Sequence, residues 1–174
     1  DMIVAAGTYS IVEVADAAYT TTYENCTNVV VPKGGTATCT ITNDDKPATL
    51  HVKKILTNDN GGTRAVTSFT FSVNNATAVA FDADTQNDLT VPAGTYNVVE
   101  TAATGYETTY SGCTNIVLVN GGTATCTITN NDLPGHLIVK KLMDNKYGGT
   151  KLPQDFSFSV NGATAVAFEA DAQN

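Results

Sequence analysis

The four cysteines are the residues whose chemistry the sequence indicates most directly. They form two pairs with the same spacing, Cys26 with Cys39 and Cys113 with Cys126. Each pair flanks an apolar run and a Gly-Gly turn, so pairing Val31 with Gly34 would set Cys26 opposite Cys39 across a hairpin. Zinc would need a further Cys or His pair to complete its coordination. We therefore predict two disulfides, each stabilising by about 3 kcal/mol, and a secreted, extracellular protein.

Carboxylate and amide oxygens crowd one loop and could bind calcium. The candidate ligands are Asp82, Asp84, Asn87 and Asp88, and the second copy of this loop has Glu169, Asp171 and Asn174. Ca²⁺ takes six to eight oxygens and binds extracellular modules weakly. The spacing lacks the glycine and distal glutamate of an EF-hand, and Asp and Asn are also common turn residues. A bridging ion at 42–45 and 129–132 is a similar hypothesis.

Enzymatic chemistry has little support in the sequence. The two histidines, His51 and His136, align with Ile138 and Thr49 in the other copy of the repeat, so they build no repeated site. We expect both to be solvated, and we predict no enzyme and no cofactor other than calcium. The net charge of −8 argues against nucleic acid or an anionic membrane as partner. No apolar stretch approaches the roughly 20 residues that span a bilayer.

An internal repeat with a period of 87 residues organises the chain. Residues 1–87 and 88–174 align without gaps, and 52 of the 87 aligned pairs are identical. The proline-containing linkers lie near 42–49 and 129–136, which places domain boundaries there rather than at the chain ends. We therefore predict a leading half-repeat (1–46), a complete domain (47–133) and a trailing half-repeat (134–174). Either this is a window of a longer array, or half-repeats complement each other between subunits.

The complete domain shows strand patterns about every ten residues and no sustained helical period. This predicts an all-β, antiparallel sandwich with almost no helix. The predicted strands are Leu50–Leu56, Ser68–Val73, Thr77–Phe81, Leu89–Val91, Thr95–Thr101, Thr108–Tyr110, Cys113–Val119 and Thr123–Thr129. A core from about 85 residues is modest, so covalent cross-links would help to stabilise it.

Four motifs in order resemble those of Cna B-type and SpaA-type prealbumin-like domains of bacterial surface stalks, pilins and large adhesins. They are LHVKK from Leu50, GTYNVVE from Gly94, the pair Gly105-Tyr106, and TITN from Thr127. The resemblance spans the complete domain. It implies a tandem immunoglobulin-like, prealbumin-like β-sandwich that holds an adhesin away from the cell wall.

The resemblance also implies an autocatalytic isopeptide bond between Lys54 and Asn130, assisted by Glu100. Strand alternation turns all three side chains inward, where burial lowers the pKa of a lysine and favours the neutral amine that attacks an amide. The alternative is a partly exposed ion pair beside a turn residue, with the disulfide as the only cross-link. In the half-repeats, Glu13 and Asn43 lack their lysine and Lys141 lacks its partners, unless neighbouring segments supply them.

These observations predict a structural repeat of a secreted bacterial filament, stalk or giant adhesin, displayed at the cell surface. Its partners would be further copies of the repeat, in the same chain or in a head-to-tail filament. One alternative is a self-assembling subunit whose half-repeats complete each other between chains. Another is an adhesin module that binds a host or environmental surface ligand through the variable loops 57–67 and 143–155.

Overall fold

Strands formed by threonine, valine and aromatic residues dominate the computed structural model, which describes residues 2–171. The chain divides into two units, 1–133 and 134–174. The strands of the first unit are β1 (Gly7–Tyr9), β2 (Tyr19–Glu24), β3 (Val29–Val31), β4 (Thr40–Asp45), β5 (Ala48–Thr57), β6 (Thr70–Val73), β7 (Val79–Ala80), β8 (Gln86–Val91), β9 (Gly94–Tyr96), β10 (Val98–Glu100), β11 (Tyr106–Ser111), β12 (Ile116–Leu118) and β13 (Thr123–Asp132). The second unit contains β14 (Ser157–Phe158) and β15 (Val166–Ala167).

Helical structure in the described chain is limited to two three-residue 3-10 turns, Val66–Ser68 and Pro153–Asp155. Within residues 2–171 there is no helix that could cross a membrane. The predicted all-β class is therefore confirmed.

The complete domain is built from facing sheets. On one side is a four-stranded sheet with the order β11-β13-β5-β8. The other side is formed by a three-stranded sheet, β10-β6-β7, and a two-stranded sheet, β12-β9. The pairing of β5 with β13 is parallel, with Lys54 opposite Ile128. The other strand pairs of the described residues are antiparallel, as predicted, so this parallel pair is an exception that the prediction did not include. These two strands are the first and last of the domain, and a parallel pair needs a long connection, which here is the rest of the domain.

The core lies between the sheets and follows the alternation of the strands. Along β5, buried residues alternate with more exposed ones, and the same holds along the second half of β13. Phe71 and Phe81 stack with ring centroids 4.7 Å apart, and the Phe69 ring meets Tyr106 edge to face at 5.2 Å. The buried cluster comprises Ala48, Leu50, Val52, Phe69, Phe71, Phe81, Val98, Cys113, Ile116, Leu118, Cys126 and Ile128.

Two predicted strands, 95–101 and 113–119, are interrupted or shortened where asparagine or glycine residues form turns. The segment 95–101 breaks at Asn97. The Oδ1 atom of Asn97 accepts a hydrogen bond from the backbone N–H of Asn115 at 2.8 Å. Asn115 and Gly112 both have positive φ, which ends strand structure before Ile116. Each of the other predicted segments contains a strand, with ends shifted by a few residues.

Asp132, at the end of β13, organises the loop that follows β5. Its carboxylate accepts the backbone N–H groups of Asp59 at 2.8 Å, Asn60 at 2.9 Å and Gly62 at 2.6 Å. Partial desolvation acts to raise the pKa of Asp132, but these three donors together hold it below its usual range. The loop is therefore tied to the last strand by a buried anion, a feature that the sequence patterns did not indicate.

The Asp132→Asn variant is expected to lose hydrogen-exchange protection at the amides of Asp59, Asn60 and Gly62. Because the pKa of Asp132 is depressed in the folded state, its stabilising effect is present above the ordinary carboxyl pKa and is lost as pH falls through the lower folded value. Acid should therefore release the same three amides in the unaltered protein. Asn131→Ala, on the exposed face of β13, is the matched control. Unchanged protection in Asp132→Asn would contradict the role of Asp132.

The leading half-repeat reproduces the strand pairing of the complete domain. β1 pairs with β3 as β9 pairs with β12, and β2 pairs with β4 in the register of β11 and β13, all at an offset of 87. In the second unit, β14 pairs with β15 as β6 pairs with β7. The domain boundaries at 46–47 and 133–134 stay a prediction.

The junction between the leading half-repeat and the complete domain is closely hydrogen-bonded. The Lys46 N–H donates to the Ala18 carbonyl at 2.8 Å, and its own carbonyl accepts the Gly121 N–H at 3.0 Å. The Lys46 ammonium reaches the Ala17 carbonyl at 2.9 Å, and Asn120 donates to Asp45 at 3.2 Å. The short Lys46-Pro47 linker is thus held from both sides, which limits bending at this point.

Candidate functional site

A lysine lies inside the sandwich of the complete domain. Lys54 follows Leu50 and Val52 on the inward face of β5, and its side chain is completely buried. The ammonium nitrogen lies 4.2 Å from the centroid of the Phe69 ring and 4.9 Å from that of Phe81. Burial lowers the pKa of Lys54, and the hydrogen bond and charge of Glu100 oppose that effect only in part. The site therefore favours the neutral amine more than water does.

Glu100 and Asn130 meet Lys54 in the core. Lys54 Nζ donates to Glu100 Oε2 and to Asn130 Oδ1. Asn130 Nδ2 donates to Glu100 Oε1 at 2.7 Å and to Thr108 Oγ1 at 3.1 Å. The three side chains form a closed hydrogen-bonded triangle, and the predicted inward direction of each is confirmed by its burial.

This arrangement rules out one of the two interpretations drawn from the sequence. An ion pair at the open end of the sandwich would be solvated, yet the side chains of Lys54 and Glu100 are both inaccessible to solvent. Asn130 is likewise fully buried and lies within β13 rather than in a turn. The alternative of an exposed ion pair beside a turn residue is therefore wrong.

The chemistry available to the triangle is amide transfer. An amine, a carboxyl group that contacts both the amine and the amide, and the amide itself are the three groups that such a reaction needs. Aromatic rings cover the amine, so water is excluded from the reacting atoms. Thr108 and Tyr110 complete the surroundings: Thr108 accepts from Asn130, and the Tyr110 hydroxyl accepts the Glu100 N–H at 3.2 Å.

Sequence reasoning missed Thr108 and Tyr110. The signal was present, because both belong to the Thr-Thr-Tyr run that recurs in each copy, at Thr21–Tyr23 and Thr108–Tyr110. In the structure, Thr108 lies directly opposite Asn130 in the β11–β13 pairing. Assigning that run a role requires the register between β11 and β13, which strand patterns alone do not provide.

Both predicted disulfides are present, Cys26–Cys39 and Cys113–Cys126, with Cα–Cα distances of 4.7 and 4.5 Å. The hairpin register used to predict them was wrong. Val31 pairs with Gly7 on β1 rather than with Gly34, and the equivalent β12 pairs with β9. In the complete domain the bond ties the loop after β11 to β13, and both of its cysteines are buried.

The oxygen-rich loop 81–88 uses its side chains within the protein. Asn87 Oδ1 accepts the Asp82 N–H at 3.2 Å, and Asp84 Oδ1 accepts the Gln86 N–H at 3.2 Å. Asp88 binds His51 at 2.6 Å, and this hydrogen bond is the main reason that the pKa of Asp88 is lowered. Within residues 2–171, no three His, Cys, Asp or Glu side chains converge as metal ligands. Calcium binding by this loop therefore stays a prediction.

The two histidines differ in their surroundings. His51 is only partly exposed and is paired with Asp88, so it is less solvated than its position at a strand start suggests. His136 is exposed, as expected.

One comparison with known protein families matches most of the complete domain. Residues 45–128 match the family model of a SpaA-type prealbumin-like fold domain. The match includes Lys54 and Glu100 and ends two residues before Asn130. No curated protein matches the chain. The resemblance drawn from the motifs is confirmed: residues 45–128 are similar to the SpaA-type prealbumin-like fold domain.

Proposed function

We propose that the complete domain is a structural repeat of an extracellular stalk or filament and that a Lys54–Asn130 isopeptide bond stiffens it. The observation that carries the proposal is the buried triangle of Lys54, Glu100 and Asn130. A buried ion pair is by itself a poor way to stabilise a core, because desolvation offsets much of the attraction. Amide formation between Lys54 and Asn130 removes the lysine charge, leaves its proton on Glu100 when neutral ammonia departs, and adds a covalent link.

The reaction needs no cofactor. Lys54 Nζ attacks Asn130 Cγ, and the new Nζ–Cγ bond replaces the Cγ–Nδ2 bond. Glu100 contacts both nitrogens, so it takes a proton from the amine and delivers one to Nδ2, which leaves as ammonia. The lowered pKa of Lys54 assists the attack, because only the neutral amine has a free electron pair.

The position of the bond suits a protein that carries tension. β5 is the first strand of the complete domain and β13 the last, and they pair in parallel along nine residue positions, from Thr49 opposite Thr123 to Thr57 opposite Asn131. Tension applied at the two ends of the domain shears this pairing. A bond from Lys54 to Asn130 would pass the force directly from the first strand to the last and shield the residues between them.

Three further observations support an extracellular structural role rather than an enzymatic one. The two disulfides suit an oxidising compartment. The junction at Lys46 restrains neighbouring repeats, as a stiff rod requires. The SpaA-type family match fits a domain displayed at a cell surface, whose partners would be further copies of the same repeat.

Intact mass spectrometry tests the proposal. The mass of the purified chain is expected to be lower than its sequence mass by one ammonia, which the complete domain loses. The sequence mass is first corrected for the hydrogens lost when the two disulfides form. Lys54→Met should restore the full variant mass, because it removes the attacking amine. The matched control is Lys53→Met, whose side chain is exposed on the other face of β5 and which should keep the ammonia loss. An unaltered chain with no loss of ammonia would rule out the bond.

A further inference from the structure

The amide nitrogen of Asn130 has two hydrogen-bond acceptors, which lie on different strands. Nδ2 donates to Glu100 Oε1 at 2.7 Å and to Thr108 Oγ1 at 3.1 Å. Glu100 belongs to β10, and Thr108 belongs to β11, directly opposite Asn130. In the proposed reaction Glu100 carries a proton between the two nitrogens. The second acceptor of the leaving nitrogen, Thr108, has no part in that proton transfer, so its role is a separate question.

Thr108 lies on the open side of the buried triangle. On the other side, the Lys54 amine is covered by Phe69 and Phe81, which are 2% and 1% exposed. The leaving nitrogen instead faces β11, which is an edge strand of the four-stranded sheet, and Thr108 itself is half-buried. The amine is therefore held in the closed interior, and the group that departs is held beside the edge of the sandwich.

The edge of the sandwich at this point is formed by β10 and β11. β10 is an edge strand of the three-stranded sheet, as β11 is of the four-stranded sheet. Tyr110 of β11 connects the two, because its hydroxyl accepts the backbone N–H of Glu100 at 3.2 Å. Tyr110 is 46% exposed, so solvent reaches this edge close to the leaving nitrogen. Ammonia released from Asn130 can therefore reach solvent between β10 and β11, past the Thr108 hydroxyl.

The hydrogen bond between Asn130 and Thr108 strengthens as the reaction proceeds. The amide nitrogen is neutral at the start, but after it receives a proton it carries a positive charge. Hydrogen bonds from a charged donor are roughly twice as strong as those between neutral groups. A contact accelerates a reaction only if it is stronger in the transition state than in the ground state. The contact with Thr108 meets this condition, because its donor is the nitrogen that becomes charged.

We propose that the Thr108 hydroxyl stabilises the leaving nitrogen of Asn130 while the bond with Lys54 forms. Lys54 Nζ adds to Asn130 Cγ, and Glu100 moves a proton from Nζ to Nδ2. Thr108 Oγ1 accepts a hydrogen bond from the resulting charged nitrogen, the Cγ–Nδ2 bond breaks, and neutral ammonia leaves. Thr108 is neither consumed nor ionised. This role rests on the isopeptide chemistry proposed for the complete domain and adds the residue that assists the departure of ammonia.

The test follows the loss of ammonia over time while the 174-residue chain refolds. Chain recovered unfolded in urea, before the bond has formed, is diluted into an oxidising buffer, and its intact mass is recorded at intervals. Thr108→Val keeps the shape of the side chain but lacks the acceptor. It is expected to lose ammonia about tenfold more slowly, which is the effect of one hydrogen bond. Thr108→Ala should be slowed to a similar extent, and Thr108→Ser should regain most of the rate.

Circular dichroism of the same samples separates the reaction from folding. The valine variant is expected to regain its strand signal as fast as the unaltered chain and to lose ammonia later, while Thr109→Val, at an exposed neighbour, should match the unaltered chain in both. Equal rates of ammonia loss with and without the hydroxyl would overturn the role of Thr108 and leave the proposed function standing. A delay that only follows slower folding, or that serine does not shorten, would overturn it too. An unaltered chain that folds and keeps its ammonia would overturn both.

Discussion

Replacing Lys54 with methionine is expected to lower the free energy of unfolding of the complete domain by about 4–5 kcal/mol. The bond would join residues 76 positions apart, and the entropy of closing a loop of that length gives this magnitude. Methionine also removes the nitrogen that donates a hydrogen bond to the buried Glu100 carboxyl group, which adds to the loss. Urea unfolding followed by circular dichroism measures the change.

Two variants separate the covalent bond from the contacts of the lysine. Lys53→Met alters the exposed neighbour and should change the free energy of unfolding by less than about 0.5 kcal/mol. Glu100→Gln keeps the size of the side chain but cannot relay a proton, so it should prevent the bond and destabilise the domain even though Lys54 is present. A Glu100→Gln chain that still loses ammonia would contradict the role assigned to Glu100.

Removing the second disulfide by the double substitution Cys113→Ala and Cys126→Ala is expected to lower the free energy of unfolding of the complete domain by about 3 kcal/mol. The two cysteines are 13 residues apart, and closing a loop of this size has an effect of that order. Alanine is chosen because it places no polar group in the buried positions of Cys113 and Cys126. The same urea titration measures the change.

The control for this prediction is the equivalent substitution in the leading half-repeat, Cys26→Ala with Cys39→Ala. That disulfide lies outside the complete domain, so the main unfolding transition should keep its midpoint. If both double variants shift this transition equally, the stabilisation does not arise from closing the loop between Cys113 and Cys126.

The inward side of each strand followed from the sequence, because alternation needs only local information. Leu50, Val52 and Lys54 share one side of a strand whatever it pairs with, and the same parity holds for Glu100 and Asn130. The resemblance to a known family supplied the reason to connect these three residues. The structure adds that they meet, with the amine covered by Phe69 and Phe81.

Pairing between distant strands did not follow from the sequence. The parallel contact of β5 with β13 joins the two ends of the complete domain, and no local pattern indicates which strand a given strand will join. The cysteine spacing correctly indicated a disulfide, but through a hairpin that does not form, because β12 pairs with β9. The sequence places Asp132 only in a linker between domains, because its loop partners lie about seventy positions away in the chain.

The proposed function depends on a covalent bond between the first and last strands of the complete domain. Tandem mass spectrometry of a proteolytic digest tests it most directly. We expect a branched peptide in which Lys54 Nζ, on the β5 segment, is joined by an amide bond to Asn130 Cγ, on the β13 segment, with one ammonia missing. Two separate linear peptides, with Lys54 free and Asn130 intact, would contradict it.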